Sequence, residues 1–193
     1  MNDLIHELAS LSSHPPSELA QSTLLRAGAA DRVATAQSPF GPVWIAWSPT
    51  GVTGLTPRFA CDSIDDFLAA HRRSAYIADR LPKELEVCLG NALTSGMTAE
   101  VPVDLRGLGN FQRAVLAVCS RIEAGTVRTY GWIAEQLDNP GSVRAVGTAL
   151  GRNPVPLLVP CHRVVRSDGT IGNYAFGPEM KRELLIREGA ILV

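Results

Sequence analysis

Apolar positions change spacing several times along the chain, and each change marks an element. Two short amphipathic segments, Asp3–Leu11 and Ser17–Ala27, are separated by His14-Pro15-Pro16, which interrupts a helix because proline has no amide N–H to donate. A β-rich stretch follows. Arg32–Ala36, Pro42–Trp47 and Val52–Leu55 read as strands, with Pro49-Thr50-Gly51 as a turn. Helical spacing returns over Ile64–Ser74 and Lys83–Thr94. A β-like run, Val101–Leu105, predicts an edge strand, and the glycines after it predict a boundary near Arg106-Gly107.

The second half reads as mostly helical. Phe111–Ile122 carries a stripe at Phe111, Val115, Val118 and Ile122. Tyr130–Leu137 and Ser142–Arg152, joined by Asp138-Asn139-Pro140-Gly141, read as a helix-turn-helix, with Ser142 as cap and Val143, Val146 and Leu150 facing inward. After a proline-rich run, a hairpin is predicted from Arg163–Arg166 and Ile171–Tyr174, turning at Ser167-Asp168-Gly169. A last helix runs from Pro178 to Glu188 and ends at Gly189. The fold class expected is α/β (α+β) in two domains. Residues 1–106 form a small sheet with flanking helices, 1–30 being a helical extension, and residues 107–193 form a mostly helical domain with the helix-turn-helix.

Composition adds little to this picture, and charge adds more. At 46% hydrophobic and 19% charged, the 193 residues are ordinary for a globular protein, and the net charge is −1. Residues 1–100 hold 7 Lys/Arg against 11 Asp/Glu, a net −4, and residues 101–193 hold 11 against 8, a net +3. The basic half can face an anionic partner while the other half aids solubility. No apolar run approaches the roughly 18 residues that span a membrane, and the mixed, acidic N-terminus is unlike a signal peptide. The expected location is therefore cytoplasmic, or nuclear in a eukaryote. Cys61, Cys88, Cys119 and Cys161 are widely spaced and read as thiols. With His6, His14 and His71 they show no metal-ligand spacing, so no metal is expected.

The sharpest chemical feature is Pro160-Cys161-His162-Arg163. A free thiol has a pKa of about 8.5, and a neighbouring imidazole can take its proton if a third group holds the ring. For an isolated Cys-His pair, a buried small hydrophobe with a chance neighbour is the commoner situation. Glu188 shifts that balance. It sits where the helix dipole disfavours an anion, near the inward face of Leu184 and Leu185, with no local basic partner, although a frayed, solvated helix end would also fit. On the second helix of the helix-turn-helix, Arg144, Thr148 and Arg152 lie at i, i+4 and i+8 among Ala145, Gly147, Ala149 and Gly151. Such a face can approach a duplex closely, or is simply a solvated basic face.

Taken together, residues 103–190 resemble the methylated-DNA–protein-cysteine methyltransferases, or O6-alkylguanine-DNA alkyltransferases. The resemblance rests on Thr129-Tyr130-Gly131, Arg144-Ala145-Val146-Gly147, Asn153-Pro154, Pro160-Cys161-His162-Arg163-Val164-Val165, Gly172-Asn173-Tyr174 and Glu188-Gly189. It implies direct repair of double-stranded DNA, entered by the minor groove, by a monomer without cofactor. Cys161 would accept an alkyl group from O6 of a flipped guanine, or from O4 of thymine, once per molecule. His162 and Glu188 would complete a water-linked relay. Tyr130 would crowd a phosphate and assist guanine departure, Arg144 would fill the vacated stack, and Asn153 would orient the site. The backbone around Val159 and from Tyr174 to Ala175 would line the base pocket. Relatives carry either glycines or an Arg and an aromatic after that tyrosine; Tyr174-Ala175-Phe176-Gly177 fits neither pattern, so Phe176 is expected at the pocket lip, excluding large adducts. Packing near Met180 is the alternative for it. Two rival functions are a non-catalytic binder of alkylated DNA, which in relatives lacks the cysteine, and a Cys-His hydrolase, which needs an oxyanion hole that nothing in the sequence indicates.

Overall fold

The computed structural model describes residues 17–191. The segment Asp3–Leu11, His6 and His14 lie outside the described residues. Helix α1 (Ser17–Arg26) leads into strands β1 (Asp31–Ser38), β2 (Gly41–Ser48) and β3 (Gly51–Pro57), which form an antiparallel meander. The β1–β2 turn is closed by Ser38, whose hydroxyl donates to the Gly41 carbonyl and accepts from the Phe40 amide. Both faces of the sheet are covered. Val43, Ile45 and Trp47 point into the main core, while Trp44 and Ala46 meet Val33 and Phe67 on the opposite face. That alternation is what the two-residue period of a strand dictates.

Two sequence expectations for this half change. Helix α2 (Ile64–Ala70) stops well before Ser74. His71 turns extended there, and its Nε2 lies 2.7 Å from the buried Asp31 carboxylate. The chain then runs into β4 (Ala75–Ile77), which lies parallel to β1 and completes the order β3-β2-β1-β4. The expected edge strand at 101–105 meets β3 at a single bridge, Val52 to Val103. Pro102 has no N–H, so a longer ladder cannot form there. Its carbonyl accepts from Val52 and the Asp104 amide donates to the Val52 carbonyl. Asp104 then anchors the junction. It accepts from Ser48 at 2.7 Å, Thr50 at 2.9 Å and Arg106 at 2.8 Å, which hold its carboxyl far below the usual range.

Helix α3 (Lys83–Ser95) and helix α4 (Asn110–Cys119) pack Leu89, Leu93, Val115 and Leu116 into one apolar core with Ile45 and Leu55 of the sheet. Strand β5 (Arg128–Thr129) precedes α5 (Tyr130–Gln136), which is capped by Thr129 accepting from the Trp132 amide. A 3-10 turn at Pro140–Ser142 leads to α6 (Val143–Gly151). Ser142 is not the expected cap, because its hydroxyl donates back to Asn139. Val146, Ala149 and Leu150 are buried, whereas Val143 stays exposed.

The hairpin expected after Cys161 is also absent. Cys161–Arg163 is a 3-10 turn, and β6 (Val164–Val165) pairs in parallel with β5. Residues 166–170 keep only a tight turn, and Gly172 at φ +72° ends any return strand. Helix α7 (Pro178–Arg187) closes the fold, with Gly189 at φ +69° turning the chain out of it.

Gly51 shows how tightly the 101–105 segment sits on the sheet. Its φ is +147°, and a Cβ would lie 2.5 Å from the Pro102 carbonyl oxygen. Gly51→Ala is expected to cost about 2–3 kcal/mol, because backbone must move to admit the methyl group. Urea denaturation of the two proteins measures the difference.

Candidate active site

Cys161 lies at the base of the 3-10 turn, 7% exposed. Two local devices hold it. Leu157 adopts φ +75°, a costly conformation for a side-chain-bearing residue, and folds 156–159 back on itself. Asn153, just past α6, donates from Nδ2 to the Val159 carbonyl at 2.9 Å and to Cys161 Sγ at 3.3 Å. Its Oδ1 accepts from the Val155 amide. The burial pushes the Cys161 thiol pKa up, while the Asn153 bond and the nearby Lys181 charge pull it down. The resting group is therefore the thiol.

His162 and Arg163 converge on Glu188 at the end of α7. Glu188 Oε1 accepts from His162 Nε2 at 2.9 Å and from Arg163 Nη2 at 2.8 Å, and Oε2 accepts from Arg163 Nε at 2.9 Å. These partners outweigh burial and hold the Glu188 pKa down at about 2. Burial lowers the His162 pKa, so the ring is neutral at neutral pH. An ionised carboxylate only accepts, which puts the single ring proton on Nε2. Nδ1 is left as a buried acceptor with no protein partner among the described residues. The ring can thus take a proton on one side while the carboxylate steadies it on the other.

Lys181 escaped the sequence reading. It is fully buried in α7, with Nζ donating to the Val164 carbonyl at 2.6 Å, and burial lowers its pKa to about 8. The signal was present, since Lys181, Leu184, Leu185 and Glu188 follow one helical face, and a lysine on an inward stripe is anomalous. Arg163 was read only as part of a motif. It is also a buried structural cation, reaching the Ile122 and Gly96 carbonyls.

A cleft of about 950 Å³ opens on Cys161, walled by Tyr130, Arg144, Thr148, Tyr174 and Ala175. Thr148 and Arg144 stand exposed on α6, and Gly147 passes the Tyr130 ring at a distance that leaves room for a methyl group. Tyr174 sits edge-on to His162, its hydroxyl buried without a partner among the described residues. Two residues expected at the base pocket lie elsewhere. The Val159 side chain belongs to the core, and its carbonyl is already taken by Asn153 and the Cys161 amide. Phe176 lines a separate cavity of about 330 Å³ between β3 and the Asn153-Pro154 segment, while Arg152, exposed just past α6, borders both that cavity and a groove shared with Thr148. Phe176 packs edge-on to both Phe59 and Tyr174. It is therefore not the lip of the Cys161 cleft, because the aromatic pair draws its ring to the far side; Ala175 is at that wall instead. Among the described residues, no three His, Cys, Asp or Glu side chains gather as a metal site, and no helix is long and apolar enough to cross a membrane.

Residues 110–190 match the family model of the 6-O-methylguanine DNA methyltransferase DNA-binding domain. Over 83 residues, 43% of this chain and 48% of the relative, the chain is 48% identical to the methylated-DNA–protein-cysteine methyltransferase of Shigella flexneri. Over 90 residues it is 46% identical to the protein of that name from Methanothermobacter thermautotrophicus, covering 47% of this chain and 50% of the relative. The chain thus spans about half the length of these curated relatives. Solved structures match more widely. Mycobacterium tuberculosis OGT in complex with DNA superposes with a TM-score of 0.64 at 32% identity, covering 83% of this chain and 93% of that one. O6-methylguanine-DNA methyltransferase from Pyrococcus kodakaraensis superposes at 0.60 and 31% identity, covering 82% and 99%.

Glu188 gives the site its own pH signature. Its folded pKa of about 2 lies below the ordinary value of about 4.3, so its stabilisation is complete above the latter and is lost as pH falls toward the former. Glu188→Gln leaves the buried Arg163 uncompensated and is expected to cost about 3 kcal/mol at pH 7. Urea titrations should show the gap between variant and parent closing between about pH 4 and 2.

Proposed function

The chain belongs to the methylated-DNA–protein-cysteine methyltransferase family, and on that premise we propose that it repairs double-stranded DNA by moving an alkyl group from O6 of guanine onto Cys161, once per molecule. The observation that carries this reading is the grouping of a buried thiol, an Asn153 donor at 3.3 Å and a neutral histidine steadied by Glu188, all beneath a cleft walled by a basic helix. O4-alkylthymine presents the same kind of carbon and is a second substrate. The chain acts as two units meeting near Arg106-Gly107, as a monomer, in the cytoplasm or a eukaryotic nucleus.

The chemistry balances without a metal or organic cofactor. The thiol proton passes to His162 Nδ1, through a water or directly. Sulfur attacks the alkyl carbon as the carbon–O6 bond breaks, and the proton returns to the departing guanine. Glu188 stabilises the imidazolium while it exists. Asn153 and the Lys181 charge favour the developing thiolate. Tyr130, in the cleft wall, donates to the leaving base. The thioether has no route back, which limits each molecule to one event.

A base inside a duplex is out of reach of a buried sulfur, so the nucleotide must rotate out of the stack, at a few kcal/mol. Arg144 stands on α6 among small residues and fills the space the base leaves. Helix α6 enters the minor groove, where little sequence preference is available. The cleft wall at Ala175 is open, so adduct size is not limited by Phe176.

Intact-protein mass spectrometry after mixing with a duplex carrying O6-methylguanine should show one methyl gained per chain, located on Cys161. Cys161→Ser should gain none while binding the duplex as the parent does. A methylated serine variant would place the acceptor on another cysteine.

Arg144→Ala should slow repair of the duplex about 100-fold or more relative to reaction with a free O6-alkylated base, which needs no rotation out of a stack. Rapid-quench kinetics on both substrates reads the ratio, and an unchanged ratio would place Arg144 outside the extrusion step.

A further inference from the structure

Arg166 has no role in the scheme above, yet it lines the Cys161 cleft. Arg144 and Arg166 are the two charged residues in that wall, and no carboxylate lies there. The Arg166 guanidinium has no hydrogen-bond or ion-pair partner among the described residues. The carboxylate of nearby Asp168 is occupied by the Thr170 amide and hydroxyl.

Its backbone, by contrast, is pinned. The Arg166 amide donates to Thr170 and its carbonyl accepts from Gly169, which closes a tight turn. The side chain then runs along Gly172 to the Tyr130 hydroxyl. A Cβ on Gly172 would lie 3.4 Å from Tyr130 Oη, 3.5 Å from Arg166 Cγ and 3.6 Å from Arg166 Nε, and φ there is +72°. A phenol donor from α5 and a guanidinium from the turn therefore flank one point on the cleft wall. Gly172 keeps that point open.

We propose that Arg166 is a phosphate-holding residue, whose guanidinium, placed beside the Tyr130 side chain, grips one phosphodiester of the strand carrying the extruded nucleotide. The proposal rests on the alkyl-transfer reading and adds a partner atom to it. A planar fork of N–H donors matches two phosphate oxygens. Arg166 is exposed at the rim while Cys161 is buried at the floor, which places the cation beside the backbone and away from the reacting carbon. Arg144 and Arg166 then act on different parts of the same nucleotide, the first in the stack and the second on the strand.

The test compares the parent, Arg166→Ala and Arg166→Lys, with Cys161 methylation read by intact mass. Arg166→Ala should lower the ratio of duplex to free-base rate about tenfold, and lysine should restore part of it. The slope of log affinity against log salt should fall by about one, as for any lost phosphate contact. Duplexes with a neutral methylphosphonate at single positions beside the lesion should slow the parent at one position, and slow Arg166→Ala no further there. An unchanged salt slope, an unchanged rate ratio, or equal methylphosphonate losses in both proteins would overturn the assignment. So would a loss confined to a free base carrying an anionic adduct such as O6-carboxymethyl, which would put the guanidinium on the adduct. A parent that gains no methyl from any substrate overturns the alkyl-transfer reading itself, and this proposal with it.

Discussion

Arg163 is a cation taken out of water, and the surrounding structure is arranged to hold it. Desolvating a guanidinium costs several kcal/mol unless its donors are met. Here Glu188 meets two of them, and the Ile122 and Gly96 carbonyls meet others. Those partners come from the end of α7, the chain after α4 and the cap of α3, so one ion pair ties three elements to the turn carrying Cys161. The same carboxylate fixes the His162 ring. Position of the thiol and protonation of its neighbour are thus set by one group.

The site balances two opposed requirements. Burial excludes water from the sulfur but raises its pKa, which works against reactivity. A donor amide from Asn153 and a buried ammonium from Lys181 offset part of that penalty without opening the site to solvent. The thiol therefore stays protonated at rest, beside a histidine that burial keeps neutral.

Two cavities flank the Asn153 segment. The larger one holds Cys161 together with Arg144, Arg166 and Tyr130. The smaller lies between the sheet and the Asn153-Pro154 segment, and takes in Phe176. A hydrogen bond from the Leu55 amide to the Pro154 carbonyl fixes that boundary. The sheet half thereby supports the segment from which Asn153 reaches the sulfur.

Much of this was written in local pattern. The unbroken apolar run Pro42–Trp47 marks a strand whose two faces are both covered, and the stripe from Val115 to Ile122 marks a buried helical face, because the pattern reports which sides of an element leave water. Cys161-His162 and the misplaced carboxylate of Glu188 were legible for a related reason, since each departs from what local energetics favours. Partner identity was not legible. Nothing near Arg163 in sequence names Gly96 or Ile122, nothing near Lys181 names Val164, and the parallel β5–β6 pair joins residues more than thirty positions apart. The direction of Phe176 depended on Phe59, and the early end of α2 depended on His71 meeting Asp31. Local sequence determined the elements, their buried faces and the reactive pair, because those follow from interactions within a few residues. Tertiary structure alone decided the partners of each buried charge and the cavity each side chain enters, because those depend on groups brought together only by the completed fold.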